Sequence, residues 1–291
     1  MTVGQTYDTF NESPYLTVAE YKNAPTALGV SNLVVGGNSA AQDAELGNVI
    51  MRASSYMNEY FNQNLVASTN TETQRVRVTP QGFLSIHPFN SYIVALTALQ
   101  YGTDPLNLTT LPDPSQVWFE QQQILVPLYQ TSFSTSGPLS FGFPPSTNSQ
   151  IFVKYTYVSG FVNTLATGTS GASVLTVADG TGIQAGASMT VWDGASTEQV
   201  TVASSYVFGS STVPLVAPLA YSHASVAVGN MPDAVKQACI LITSAFIKRR
   251  GDSAMVMGNS ARPGGRAPGA EMYGDDIRLA LDMVDKFRRI R

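Results

Sequence analysis

The chain has 291 residues, enough to bury a large core in more than one domain, and 44% of them are hydrophobic but only 12% charged. A charged fraction about half the ~25% of ordinary soluble domains leaves a neutral surface of Ser, Thr, Asn, Gln and Gly, which favours a packed assembly over a freely diffusing enzyme. The formal net charge is -4, yet eleven of the sixteen Lys and Arg lie between Lys236 and Arg291, and Val78 to Pro232 contain one basic residue, Lys154.

The lone Cys239 excludes an internal disulfide framework, and two histidines exclude the usual zinc-ligand spacings. No run reaches the ~20 apolar residues that cross a bilayer, and the opening MTVGQTYDTFNES lacks the basic and apolar regions of a signal peptide. The expectation is a chain made in a reducing cytoplasm, without metal, cofactor or membrane.

In chain order, a short helix is predicted over Val18 to Ala24, ended by Pro25. A longer one runs from Gln42 to Asn62, where Leu46, Val49, Ile50, Ala53, Met57, Tyr60 and Phe61 recur at helical spacing, with Ser39 or Asp43 as cap. From residue 73 the pattern turns to β: Arg75 to Thr79, Phe83 to Ile86, Tyr92 to Gln100, Ser115 to Pro127 and Ile151 to Phe161 are rich in β-branched and aromatic residues, and two of them alternate cleanly.

Leu165 to Gly229 differs again, being nearly uncharged and dense in Ser, Thr, Gly, Ala and Val. Five short strands, Ser173 to Val177, Ser188 to Trp192, Glu198 to Ala203, Thr212 to Val216 and Ser225 to Val228, with Asp-Gly turns between some of them, predict an inserted small barrel or sandwich. Helical pattern resumes at Asn230-Met231-Pro232-Asp233, with Asn230 or Met231 as cap, and closes with Lys248-Arg249-Arg250-Gly251. Ser253 to Met272 has no period and reads as a mobile loop, and a final helix spans Asp275 to Ile290. The organisation is residues 1–72 helical, 73–164 antiparallel β, 165–229 inserted, and 230–291 helical with the loop 253–272.

No catalytic constellation emerges. His87 and His223 read as ordinary hydrogen-bonded histidines, no GxSxG elbow is present, and Cys239 lies on an apolar helix face. In Gly180-Thr181-Gly182-Ile183-Gln184-Ala185-Gly186 the third Gly is misplaced for a phosphate loop and no Lys follows, and Arg250-Gly251-Asp252 is a short motif at a helix end. Lys248, Arg249 and Arg250 compensate a helix dipole in the plain reading, but the second terminal cluster favours a partner.

Several segments resemble the head-to-tail connector, or adaptor, proteins of tailed bacteriophages. Tyr15-Leu16-Thr17-Val18-Ala19-Glu20-Tyr21-Lys22 is similar to their opening Leu-Thr-x-x-Glu-hydrophobic-Lys segment, and Asp43 to Phe61 to a helix that follows it. Val153 to Phe161, followed by Met231-Pro232-Asp233-Ala234-Val235-Lys236-Gln237-Ala238, resembles their strand-to-helix junction, here interrupted by the 165–229 module.

The resemblance implies an α+β fold with a helical connector core, an antiparallel β region and an inserted small β barrel or sandwich. It implies a non-enzymatic virion protein at the head-tail interface, forming a homo-oligomeric, commonly dodecameric ring with the portal protein above, a stopper or tail-terminator protein below and genomic DNA passing through. Arg278, Lys286, Arg288, Arg289 and Arg291 are the candidates for docking on an acidic portal surface, and Lys248, Arg249 and Arg250 for facing the lumen or DNA. On that view removing Gly274 to Arg291 leaves the fold and abolishes docking. Two rivals stand beside it. One is a carbohydrate- or host-surface-binding β protein using Trp118 and Trp192, and the other a glycoside hydrolase with paired carboxylates.

Overall fold

The computed structural model describes residues 13–31, 33–77, 79, 83–111, 117–120, 123–127, 150–251 and 268–289, with the backbone alone for 120, 249–251 and 268–275. The chain divides into two compact units, one of Met1–Val66, Val162–Gly180 and Ala185–Arg291, the other of Ala67–Phe161 and Thr181–Gln184.

The first unit contains the helices. α1, Val18–Asn23, opens on a capping box in which Thr17 Oγ1 accepts from Glu20 N-H and Glu20 Oε2 accepts from Thr17 N-H. It stops at Ala24, held extended before Pro25. α2, Ser39–Phe61, is capped by Asn38, whose Oδ1 accepts from Ala41 N-H at 2.9 Å. Neither Ser39 nor Asp43 serves as the cap, and Asp43 instead pairs with Lys22. Leu46, Val49, Ile50, Ala53, Met57 and Phe61 form its buried stripe, and Asn62 ends it in the left-handed region at φ 55°.

α3, Asp233–Gly251, buries Val235, Ala238, Cys239, Ile242 and Ala245. Asn230, expected as its cap, accepts from Val162 N-H instead. α4, Pro268–Val284, continues into a 3-10 turn at Asp285–Phe287. It begins before the expected Asp275, with Pro268 in the first turn, where its missing N-H costs no helical bond. The end of the expected 253–272 loop is therefore helical, and residues 252–267 lie outside the described residues.

The same unit holds a six-stranded antiparallel sheet made of β8 (Asn163–Gly168), β9 (Val174–Val177), β10 (Ser188–Trp192), β11 (Glu198–Thr201), β12 (Thr212–Pro214) and β13 (His223–Gly229). Their order, β11-β10-β13-β8-β9-β12, leaves β11 and β12 at opposite edges. The edges then meet through the bridge Val202 to Leu215, flanked by Ala203 N-H to Pro214 O and Val216 N-H to Thr201 O, so the sheet curls into a small barrel. Alternation sends Leu175, Val177, Met189, Val191, Val200 and Val213 inside.

The second unit is a two-layer β structure. β1 (Ser68–Arg77), β7 (Gln150–Ser159), β3 (Ile93–Asp104) and β4 (Asn107–Thr110) form one sheet in the order β1-β7-β3-β4. β2 (Phe83–Ile86), β6 (Gln123–Pro127) and β5 (Trp118–Glu120) form the other. Their apolar faces share one core that includes Leu84, Ile86, Leu99, Ile124, Val126 and Val153. Glu72 turns inward from β1, and its carboxylate accepts from the hydroxyls of Tyr155 and Tyr157 and from Phe89 N-H.

The architecture is thus mainly β, with thirteen strands in three sheets against four α-helices among the described residues, and the expected helical connector core is not its basis. The helices do pack together. The long Thr-, Val- and Tyr-rich segments nevertheless outweigh them, because each buries one face against a second sheet or around a barrel axis without needing helical support.

Candidate functional site

A buried polar cluster of the first unit joins α1, α3 and the barrel. The capping box that closes α1 directs the second oxygen of Glu20 toward Lys236, and the two form an ion pair with side chains 9% and 7% exposed. Lys236 Nζ also donates to Asn163 Oδ1 at 3.3 Å and lies 3.5 Å from the centre of the Trp192 ring. Its three N-H groups therefore face a carboxylate, an amide oxygen and an aromatic face. Burial pushes the Lys236 ammonium below its ordinary pKa, and the Glu20 charge opposes that shift.

This cluster sits where the barrel enters and leaves the helical part. Asn163 Nδ2 donates to Pro14 O at 2.9 Å, while Asn230 donates its N-H to Val162 O and accepts from Val162 N-H. Gly229 lies so close that a Cβ there would stand 1.9 Å from Val162 O. A cleft of about 280 Å³ opens beside it, lined by Asn23, Trp192, Asp233 and Gln237 with Glu20 and Lys236. With the ammonium saturated, the arrangement fastens elements together and presents no unpaired lysine to a ligand.

His223 forms a second cluster on the barrel. Its Nδ1 lies 2.9 Å from Asp193 Oδ2 and its Nε2 2.8 Å from Glu198 Oε1, with the imidazole side chain 0% exposed. Burial alone would lower its pKa, but the two carboxylates outweigh it and hold the imidazole above its ordinary value. Glu198 also accepts from Ala220 and Tyr221 N-H, and these bonds with His223 keep its carboxyl below the usual range despite burial. A ring bonded on both nitrogens has no free nitrogen to act as a base. His87 is exposed on the segment leading from β2 to β3. Cys239 is buried beside Ser54, 3.8 Å away, and burial pushes its thiol up to about 12.

The expected basic residues fall in two places. Lys248, at the end of α3, pairs with Asp276 of α4 at 3.2 Å, and Arg278 lies one turn from Asp282 at 3.9 Å. Lys286 stands 4.9 Å from the Phe287 ring centre, Arg288 stands 5.2 Å from that of Tyr60, and Arg289 N-H donates to Phe61 O. The side chains of Arg249 and Arg250, and Arg291 altogether, lie outside the described residues. Lys286, Arg288 and Arg289 thus gather at the end of α2.

That gathering corrects the truncation expectation. Phe287 is 6% exposed and packs edge-on to Phe61, Gln63 Nε2 donates to Phe287 O, and Tyr60 hydroxyl donates to Asp285 at 2.6 Å. Ile277, Ala280 and Val284 are buried as well. The terminal helix is part of the core of its unit, so removing it strips that core. Its outer face shows Leu279 and Met283, 58% and 40% exposed and one turn apart.

No protein-family model and no curated protein matches the chain. It is similar to a solved structure described as "Neck of empty GTA particle computed with C6 symmetry", with a TM-score of 0.39 and 12% sequence identity over 95% of this chain and 90% of that one.

Proposed function

We propose that the chain is a non-enzymatic structural virion protein, a ring-forming neck component between the portal of a phage head and the stopper or tail, with DNA passing through the ring. The observation that supports this most is the Glu20–Lys236 pair. Glu20 belongs to the Leu-Thr-x-x-Glu segment and Lys236 to the Pro232-Asp233-Ala234-Val235-Lys236 segment, two of the motifs that carry the connector resemblance, and they are 216 positions apart. Their charges meet in a buried contact although a whole barrel separates them in the chain. A fastened junction of this kind leaves the barrel as an elaboration outside the pairing of the two motifs.

In this reading the terminal helix carries the portal contact, with Arg278 beside the exposed Leu279 and Met283, and with Lys286 and Arg288 at its end. Electron microscopy of the purified protein tests the ring: annuli with a central hole are expected, and monodisperse single subunits even in the presence of purified portal would sink the assignment. Arg278→Glu with Lys286→Glu should abolish attachment to portal-bearing heads while the melting transition is kept.

For the carbohydrate-binding alternative, one face of the Trp192 ring is already covered by Lys236. Trp118, 67% exposed and 6.1 Å from the Phe83 ring, remains available to it. Specific glycan-array binding that disappears in Trp118→Ala would favour that alternative.

A further inference from the structure

Only five basic residues precede Lys236, and two of them, Lys22 and Arg52, are paired with Asp43 and Glu45. The other three, Arg75, Arg77 and Lys154, come from strands 73 or more positions apart along the chain, yet the antiparallel register of β1 and β7 puts them on one face. Arg77 stands opposite Gln150, Arg75 opposite Phe152, and Thr73 opposite Lys154. Because side chains alternate across a strand, residues 71, 73, 75 and 77 of β1 share a face with 150, 152, 154 and 156 of β7. All three cations are exposed, and none has a carboxylate partner among the described residues.

The rest of that face is mostly polar and neutral, with Leu108 packed over Gly102 and Asp104 at its end. Thr71 and Thr156 share a hydrogen bond, Gln100 and Thr110 continue the row across β3 and β4, and Arg75 donates to Gln150 while covering the Phe152 ring at 4.6 Å. The acid of β1, Glu72, points to the opposite face and is satisfied there by Tyr155 and Tyr157. Asp104, the acid of matching parity on β3, sits at the turn into β4, where it accepts from Leu106 N-H and the Asn107 amide. In a chain of net charge -4, this is a local positive field with hydroxyl and amide donors around it.

We infer that this sheet face is a contact surface for the sugar-phosphate backbone of duplex DNA. The inference extends the connector reading and rests on it for the presence of DNA. Spacing fits the occupant: same-face positions are ~6.8 Å apart along a strand and neighbouring strands ~4.8 Å apart, so the three cations make a stripe about 14 Å long that can follow successive phosphates. An acidic protein fits less well, because the apolar groups of the face are few, Phe152 capped by Arg75 and Leu108 on the edge strand β4, and make no centre to anchor such an interface. The same capping removes the aromatic platform that single strands stack on, and no side chain is shaped to read base edges. The contact is weak, sequence-independent and salt-sensitive, as a surface past which DNA moves requires.

The test is a salt titration of the full chain binding a short mixed-sequence duplex, followed by fluorescence anisotropy. Three phosphate contacts predict a contribution of about -2.7 to the slope of log K against log salt, and Arg75→Gln, Arg77→Gln and Lys154→Gln together should remove it. Arg52→Gln, which removes a paired charge on α2, should leave the slope as it was. These substitutions are at exposed positions, and unchanged circular dichroism and melting confirm that the fold persists. The inference is overturned if the triple variant keeps the wild-type slope, if Lys248→Gln removes it instead, if poly-glutamate competes as well as duplex at equal charge, or if low-salt binding is absent. Ring formation by electron microscopy is scored on the same samples. Rings with no DNA contact at this face refute only the inference, whereas salt-sensitive contact without rings, even after purified portal is added, refutes the connector reading.

Discussion

Glu20 and Lys236 form a buried ion pair across 216 positions of sequence, with the whole 165–229 barrel strung between their segments. Each charge is tolerated in its unit because the other is there. Replacing Lys236 with Ala leaves Glu20 buried and uncompensated, at a cost of about 3–5 kcal/mol. The double change Glu20→Leu with Lys236→Met removes both charges, and its expected cost is much smaller than that of either single change. Urea denaturation of Glu20→Leu, Lys236→Met and the double variant makes the comparison, and a double-variant loss equal to the sum of the two single losses would show that the pair is not coupled.

The His223 clamp predicts a pH dependence of opposite sign from ordinary acid denaturation. A neutral imidazole has one N-H, so only the imidazolium can donate to Asp193 and Glu198 together. His223 has its pKa raised on folding, so its contribution is complete below its unfolded value near 6.5 and is lost as pH rises through the folded value. Glu198 has its pKa lowered, so its contribution is present above about 4.5, its unfolded value, and is lost as pH falls through the folded one. Melting of the wild type should therefore show a loss on the alkaline side that His223→Asn abolishes. A pH profile identical in the two proteins would refute the clamp.

Gly229→Ala should damage the barrel junction. The added methyl meets Val162 O and the backbone of Asn163, which are held by the Asn230 and Pro14 hydrogen bonds and cannot swing aside like a side chain. A destabilisation of about 1–3 kcal/mol or more is expected, against almost none for Gly29→Ala, at an exposed position with open space around it and no positive φ. Thermal melting of both variants checks it.

Cys239 should resist thiol reagents in the native protein. Its thiol is buried on α3, and a pKa pushed up to about 12 leaves almost no thiolate at neutral pH. Maleimide labelling is expected to be negligible without denaturant and complete in guanidinium. Rapid native labelling would mean that α3 opens readily.

Phe287→Ala tests whether the terminal segment belongs to the core. The ring packs on Phe61 and its carbonyl accepts from Gln63, so the expected loss is about 3–5 kcal/mol, whereas Lys286→Ala next to it should cost little. A proteolysis-resistant and unshifted Phe287→Ala protein would return the segment to the role of a detachable docking arm.

Most individual elements were legible from side-chain period. The stripe from Leu46 to Phe61 is a helix because its apolar residues recur every three or four positions, and Phe83–Ile86 and Ser188–Trp192 are strands over the very residues predicted. Boundaries failed where the deciding group lay elsewhere in the chain. Asn230 could have capped α3 but is taken by Val162, and Pro268 starts α4 inside a stretch with no apolar period. The expected weight of helix over sheet failed for a related reason, since local pattern identifies elements without saying which of them share a core.

By itself the sequence determined composition, charge segregation, the absence of a disulfide framework and the type of nearly every element, because these depend on residues close together along the chain. Tertiary structure decided the rest. The curl of six strands until Val202 meets Leu215, the pairing of Glu20 with Lys236, and the burial of Phe287 all depend on pairings between distant segments. So does the basic face of β1 and β7: Lys154 looked like an isolated charge in a neutral stretch, and only the strand register sets it beside Arg75 and Arg77. Electrostatics acts through space, and a sequence orders charges only along the chain.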